Sequence, residues 1–187
     1  MAFILCCFDD GPIEGDRFAA GTAFATPLSN ACCTDPGCCL AGFFCPCCTL
    51  FKLRYDYLRG DMSQFLCCQG LWGGCLCLRP GRMGEKSCPE LCLACEVILC
   101  PGLSISATRM SMMQSYQLQS DPFDRKLIRF SNCLQMLSCL CTTVAICVPE
   151  CQNCARMTEK IADLVFWSVL GCMSAQVHHE MAVRNHQ

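Results

Sequence analysis

The chain has 187 residues, of which 24 are cysteine, 16% are charged and 53% are apolar, cysteine included. This length fits one domain with a single core, with or without an appended arm. The formal net charge of −2 provides no basic field, which argues against nucleic acid as a main partner.

The first residues contain neither a basic leader nor a long apolar core, and Asp9, Asp10, Glu14 and Asp16 follow them directly. This pattern argues against a secretory signal and against an organelle transit peptide. We therefore expect a reducing compartment, in which most of the cysteines are thiols, metal ligands or acylation sites rather than disulfides.

The first 34 residues are rich in glycine, alanine, proline and acidic residues, and Gly11-Pro12 and Thr26-Pro27 interrupt regular structure. We predict an extended arm over residues 1–34 and a single cysteine-rich helical domain over residues 35–187. Near the start of the arm, Cys6 and Cys7 lie among apolar residues, which predicts lipidation by palmitoylation. The alternative is that this apolar tip packs in a groove of a partner.

Two cysteine-rich stretches resemble each other. Cys38 to Cys48 and Cys92 to Gly102 each contain Cys-Leu, a few apolar residues and then Cys-Pro. They predict two similar helix-breaking elements about fifty residues apart. Between them we expect a short helix over Leu50 to Arg59 that ends at Gly60, and a loop-rich region over Cys67 to Ser87.

Two longer helices and a methionine-rich one are predicted in the C-terminal half. Leu103 to Tyr116 includes Met110, Met112 and Met113, which are more typical of adaptable core filling than of a copper site. Asp121-Pro122 is a strong helix start, with an N-cap carboxylate before a first-turn proline. This helix should end near Pro149, and Glu150 to Arg184 should form the last helix, in which Gly171 allows a kink or a close helix approach.

No residue from Phe130 to Val148 is charged, which is close to the length that crosses a bilayer. Six polar side chains dilute this stretch, so a buried or interfacial helix is favoured over a spanning one. The predicted fold class is mainly α, with a cysteine-rich irregular N-terminal half followed by two long apolar helices.

Paired cysteines make structural zinc a concrete hypothesis, because four thiolates can hold Zn²⁺ in a tetrahedron. The candidate ligands are Cys45 with Cys47, Cys75 with Cys77, Cys92 with Cys95, and Cys151 with Cys154. The alternative is that cysteine serves here as a small buried hydrophobic residue.

Thiol catalysis has little support in the sequence. Cys172 and His179 are seven residues apart and share a helix face, but no orienting third group and no oxyanion loop accompanies them. No phosphate loop, paired-carboxylate motif or metalloprotease motif occurs. We therefore expect a protein that is not an enzyme.

Cys39-Leu40, four further residues and Cys45-Pro46-Cys47 match the signature of the placenta-specific-eight family of cysteine-rich proteins. This family includes the plant cadmium resistance and cell-number-regulator proteins. Near the C-terminus the chain resembles the family's closing pattern at Cys172, Gln176 and Glu180, and departs from it at Ala175 and His179.

The resemblance implies a membrane-associated protein on the cytosolic side, linked to metal or ion homeostasis and to control of cell number. The alternative function is a structural subunit of a large ciliary or cytoskeletal assembly, with buried thiols or structural zinc. The partners under these hypotheses are a membrane, proteins of an assembly or a second copy of the chain. A thiol enzyme is the third hypothesis.

Overall fold

The structure, a computed structural model, describes residues 21–70, 81 and 84–185. It confirms a mainly helical fold in which a cysteine-rich N-terminal half precedes two long apolar helices. The helices in the described residues are α1 (Leu28–Thr34), α2 (Pro36–Phe44), α3 (Pro46–Tyr57), α4 (Pro89–Leu99), α5 (Pro101–Tyr116), α6 (Pro122–Cys147) and α7 (Gln152–Asn185). Strands β1 (Thr22–Ala23) and β2 (Leu118–Gln119) pair in parallel, with Thr22 opposite Leu118.

Proline defines where most of these helices begin. Each of α2 to α6 has proline in its first turn, where a missing N–H costs no helical hydrogen bond. The ring of each proline disfavours helical geometry for the residue before it. The two predicted Cys-Pro breaks are confirmed: Cys45 has φ −133° and ψ 63°, and Cys100 has φ −138° and ψ 62°. The chain bends by 117° between α4 and α5.

The hydrophobic core surrounds the C-terminal half of α7. Val177 and Leu170 of this helix are buried among residues of α1, α3, α4 and α5. The most deeply buried members of the core include Leu28, Leu50, Leu53, Leu93, Ile105 and Met112. Met112 and Met113 are core residues, as predicted, whereas Met110 is exposed.

A buried polar network joins α7 to the start of α1 and to α5 and α6. Asp124 Oδ2 accepts hydrogen bonds from Arg109 Nη2 at 2.8 Å and from Gln176 Nε2 at 3.0 Å. Arg109 Nε donates to Gln176 Oε1 at 2.9 Å, and Leu28 N donates to Asp124 Oδ1 at 3.0 Å. A buried ion pair is tolerated when its remaining donors and acceptors are also satisfied, and this network meets that requirement at Asp124.

Helices α6 and α7 form an antiparallel hairpin closed by the turn Pro149–Cys151. Buried residues recur every seventh position on both helices: Ser131, Ser138 and Ala145 on α6, and Ala155, Ala162 and Val169 on α7. Gln135 Nε2 donates to Ala162 O at 3.1 Å. This bond fixes the register, in which residues 130–147 of α6 lie beside approximately residues 150–167 of α7.

The two hairpin helices are long and apolar enough to cross a membrane. In the most apolar 18-residue stretch of α6, 17% of the residues are buried. The corresponding share is 50% for Pro149–Arg184, which comprises the turn and α7. The apolar part of α6 is therefore not buried within the described chain, which leaves the interfacial and spanning alternatives.

The N-terminal arm requires a correction. Residues 1–20 lie outside the described residues, but Leu28–Thr34 is helical where we expected an extended chain. Leu28 and Ala31 are buried because α1 packs on α7. Pro27 and Pro36 mark the starts of α1 and α2 rather than an extended segment.

Candidate thiol and metal site

The corner between α1 and α2 brings two cysteines together. Asp35 separates the two helices and caps α2, because its Oδ1 accepts a hydrogen bond from Cys38 N at 3.1 Å. The corner brings Cys32 on α1 and Cys39 on α2 to a Cα–Cα distance of 5.2 Å, and they form a disulfide. Most of the described cysteines are free thiols, as expected. The Cys32–Cys39 disulfide is an exception that the sequence does not predict.

Small residues let α2 approach α7 closely. A Cβ atom added to Gly171 would lie 2.7 Å from Cys39 O, and one added to Gly42 would lie 3.0 Å from Ser174 Cβ. Contacts this short require a backbone or side-chain shift. Gly171 therefore allows the close helix approach that the sequence raised as one of its two alternatives.

This approach places a third sulfur beside the disulfide. Cys172 Sγ lies 3.2 Å from Cys32 Sγ, and the sulfur atoms of Cys32, Cys39 and Cys172 all lie within 4.8 Å of one another. We call these three residues the sulfur cluster. Burial raises the pKa of the Cys172 thiol, so this group is mostly protonated at neutral pH. After reduction of the disulfide, the cluster can offer three sulfur ligands to a soft metal ion.

A second group of candidate ligands lies between the α1–α2 corner and α7. Asp35 Oδ2 is 2.5 Å from His178 Nδ1, and Cys38 completes a group whose ligand atoms also lie within 4.8 Å. Burial alone would raise the pKa of Asp35, but hydrogen bonds from Cys38 N and His178 lower it below its ordinary value. Burial and the Asp35 carboxylate raise the pKa of Cys38 to about 12.

A third group comprises Cys67, Cys68 and Glu96. Glu96 Oε1 is already paired with Arg54 Nη2 at 3.1 Å, and its Oε2 accepts from Cys68 N at 2.7 Å. Burial raises the pKa of Cys67 to about 12. An adjacent guanidinium repels a metal cation, so this group is a weaker metal site than the sulfur cluster.

The predicted metal ligands lie elsewhere. Cys45 is exposed at the start of α3, and Cys47 Sγ donates to Val97 O at 3.8 Å. Cys92 and Cys95 are on α4, Cys151 is in the hairpin turn and Cys154 is exposed on α7. None of these six belongs to the three ligand groups found in the described residues. Cys75 and Cys77, like the predicted lipidation residues Cys6 and Cys7, lie outside those residues.

The residues of the two family-like motifs have separate structural positions. Cys39 and Cys172 both belong to the sulfur cluster, although 133 residues of sequence separate them. Cys45 and Pro46 form the corner before α3. Gln176 is in the buried polar network, and Glu180 Oε2 accepts from Ala25 N at 2.7 Å.

Sequence reasoning did not identify Cys32, Asp35, Cys38 or His178 as site residues. One signal was available: Asp35-Pro36 is the same helix-start pattern as Asp121-Pro122. It would have placed a helix start after Cys32 and a corner beside Cys38. No local signal pairs that corner with His178, because 143 residues separate Asp35 from it.

No family model, curated protein or solved structure matches the chain.

Proposed function

We propose that this chain is a membrane-associated, non-enzymatic protein that binds a soft metal ion through cysteine and acts in metal homeostasis. The observation that carries the membrane part is the exposed apolar face of the α6–α7 hairpin. The resemblance to the placenta-specific-eight family supports the same function, and membership of that family is part of the proposal.

The apolar face consists of side chains at helical spacing on both arms of the hairpin. On α6 and its cap, Leu137, Leu140, Val144 and Val148 are 40–58% exposed. On α7, Met157, Ile161 and Leu164 are 51–60% exposed. Contiguous exposed apolar surface of this kind is typical of membrane or protein contact.

Helical geometry places these two stripes on the same side of the hairpin. At 100° per residue, the α6 stripe lies about 110° from the buried row that faces α7, and the α7 stripe about 130° from its own buried row. Because the helices run antiparallel, both rotations lead to the same side. The charged residues of this part of α7 lie on the other side: Arg156, Glu159, Lys160 and Asp163. This segregation is typical of a helix at a membrane surface.

The hairpin register favours an interfacial position over two spanning helices. The uncharged stretch of α6, residues 130–147, lies beside the charged part of α7. Conversely, the uncharged residues 164–179 of α7 lie beside Arg125, Lys126 and Arg129 of α6. If both helices crossed one bilayer, one of these charged sets would enter the hydrocarbon, which is costly.

Vesicle flotation tests the membrane part with a matched pair of variants. Val144→Glu places a charge on the apolar face, whereas Ile146→Glu places it on the opposite side of the same helix turn, at a residue that is 80% exposed. With vesicles of phosphatidylcholine and phosphatidylserine, we expect Val144→Glu to weaken binding by about tenfold or more, since a buried apolar side chain contributes about 1.5 to 3 kcal/mol. Equal binding of the two variants, or no binding of the wild type, would contradict the proposal.

The sulfur cluster supports the metal part. Three sulfur ligands on two short helices and one long helix resemble an open site, to which water or a further ligand could add the fourth position that Zn²⁺ prefers. Thiolates select soft or borderline ions, with Zn²⁺ and Cu⁺ the main candidates. Metal binding must displace the thiol protons, so affinity should rise with pH.

Native mass spectrometry with elemental analysis tests the metal part under reducing conditions. We expect the reduced wild type to bind zinc, and Cys172→Ser to lose that ion. Cys33→Ser is the matched control, because Cys33 is next to Cys32 but exposed and outside the cluster. The same zinc content in Cys172→Ser and in the wild type would contradict this site.

A structural subunit of a larger assembly is the second candidate, favoured by an apolar cleft of about 860 Å³ between α5, α6 and α7. Ile128, Met136, Phe166 and Trp167 contribute to its lining. Detergent fractionation distinguishes the two functions, because a membrane protein is released by detergent whereas a subunit remains with an insoluble scaffold.

A further inference from the structure

A free thiol lies against a formed disulfide in the sulfur cluster. Cys172 Sγ is 3.2 Å from Cys32 Sγ, and Cys32 is bonded to Cys39. Thiol–disulfide exchange requires a thiol within reach of one sulfur of a disulfide. The contact therefore provides the reactants of an exchange reaction within one chain.

We propose that Cys172 exchanges with the Cys32–Cys39 disulfide, so that the covalent link of α1 alternates between α2 and α7. In the forward step Cys172 releases its proton to solvent, and its sulfur bonds to Cys32 Sγ. The Cys32–Cys39 bond breaks, its electron pair stays on Cys39 Sγ, and Cys39 takes a proton from solvent. One disulfide replaces another, so the step needs no oxidant or reductant.

The arrangement of helices favours Cys32 as the central sulfur. It is the disulfide sulfur in contact with Cys172, while Gly171 keeps α7 against the backbone of α2 at Cys39. Cys172 lies on the long helix in the core, and its two partners lie on the short helices of the α1–α2 corner. A small shift of α1 relative to α2 is therefore enough to convert one linked form into the other.

The exchange has a consequence for the protein's surface chemistry. In one form Cys172 is the free thiol, and in the other form Cys39 is free on α2, three residues before the buried Gly42. The exchange does not require metal binding. Disulfide formation in the cluster does limit metal binding, because only the fully reduced cluster offers three sulfur ligands to an ion.

Disulfide mapping of the full chain tests the proposal. Oxidised glutathione is the oxidant and N-ethylmaleimide is the alkylating probe. In Cys39→Ser we expect oxidation to form a Cys32–Cys172 disulfide, so that both thiols lose their reactivity toward the probe. In Cys172→Ser the Cys32–Cys39 disulfide should remain. Cys33→Ser is the matched control, because Cys33 is next to Cys32 but exposed and outside the cluster, and it should map as the wild type does.

The wild type provides a second measurement that does not depend on any variant folding. Protein oxidised with a limiting amount of oxidised glutathione, incubated at several pH values and quenched with acid, should contain both disulfides by tandem mass spectrometry. The rate of interchange should rise about tenfold per pH unit below the thiol pKa, because the thiolate is the nucleophile. The absence of the Cys32–Cys172 link in the wild type at every pH would overturn the proposal. Full alkylation of both cysteines in an oxidised, natively helical Cys39→Ser protein would also overturn it.

Discussion

The two halves of α7 lie in different environments. From Val169 to Met181 the helix runs through the core, where its polar residues Gln176 and Glu180 are buried and hydrogen-bonded to other elements. From Met157 to Leu164 it contacts mainly α6, and its other sides expose apolar and charged side chains in separate stripes. One continuous helix therefore serves as a core element at one end and as a surface element at the other, so equivalent substitutions should have very different effects along it.

The largest expected effect is loss of the carboxylate at the centre of the buried network. Asp124→Ala leaves Arg109 as a buried charge without its ion-pair partner, and should destabilise the fold by about 3 to 5 kcal/mol. Urea unfolding followed by circular dichroism measures this. Asp121→Ala is the control on the same helix: it removes an exposed N-cap bond and should cost about 1 kcal/mol. Similar losses in the two variants would contradict the network's role.

A leucine pair tests the two halves of α7 directly. Leu170 is 2% exposed and Leu164 is 58% exposed. Leu170→Ala should lower the free energy of unfolding by about 2 to 5 kcal/mol, because it opens a cavity in the core. Leu164→Ala should change it by less than about 0.5 kcal/mol. If Leu164→Ala is equally destabilising in detergent-free solution, the hairpin is covered by another surface, for example a second copy of the chain.

The close contact of α2 with α7 should be sensitive to a single methyl group. Gly171→Ala should destabilise the fold by about 1 to 3 kcal/mol, because its Cβ meets backbone at Cys39. Gly37→Ala is the matched control, since a Cβ there would only touch Asp35 Oδ1 at 3.8 Å. We expect the control to be neutral or slightly stabilising. Thermal unfolding of the two variants distinguishes these outcomes.

The smallest expected effect is on how the free energy of unfolding changes with pH in the acid range. Hydrogen bonds from Cys38 N and His178 hold the folded-state pKa of Asp35 below its ordinary value, so its contribution to stability is complete above the ordinary pKa and is lost as pH falls through the folded pKa. Asp35→Asn should therefore lower stability at neutral pH and show a weaker further loss on acidification than the wild type. Asp56→Asn, which removes the same charge from an exposed position on α3, serves as the control. Parallel pH profiles for Asp35→Asn and the wild type would exclude the stabilisation that we assign to the His178 and Cys38 contacts.

Local sequence signals predicted the parts of this fold that depend on local chemistry. Asp121-Pro122 marked the start of α6, Pro149 its end, and the two Cys-Pro pairs marked the corners before α3 and α5. Asp35-Pro36 is the same kind of signal and marks the start of α2. The sequence does not predict α1, because its seven residues are too few to show a clear apolar period.

Paired cysteines close in sequence were poor guides to the candidate site. Cys92 with Cys95 and Cys151 with Cys154 are near in sequence, but the sulfur cluster combines cysteines from three different helices. Cys32 and Cys172 meet because α1 packs on α7, and their separation of 140 residues exceeds the reach of any spacing rule. The sequence indicates the α6 part of the proposed membrane face as an uncharged apolar stretch. It does not predict that this face lies on one side of a hairpin.

By itself the sequence determined that the protein is helical, rich in thiols and interrupted by proline, because helix starts, caps and breaks depend on neighbouring residues. Only the tertiary structure decided which thiols meet, which half of α7 is buried, and that Gly171 permits a close approach of α2. These features depend on packing between distant segments. A sequence of 24 cysteines allows very many pairings, and the packing of α1 and α2 on α7 is what brings Cys32, Cys39 and Cys172 together.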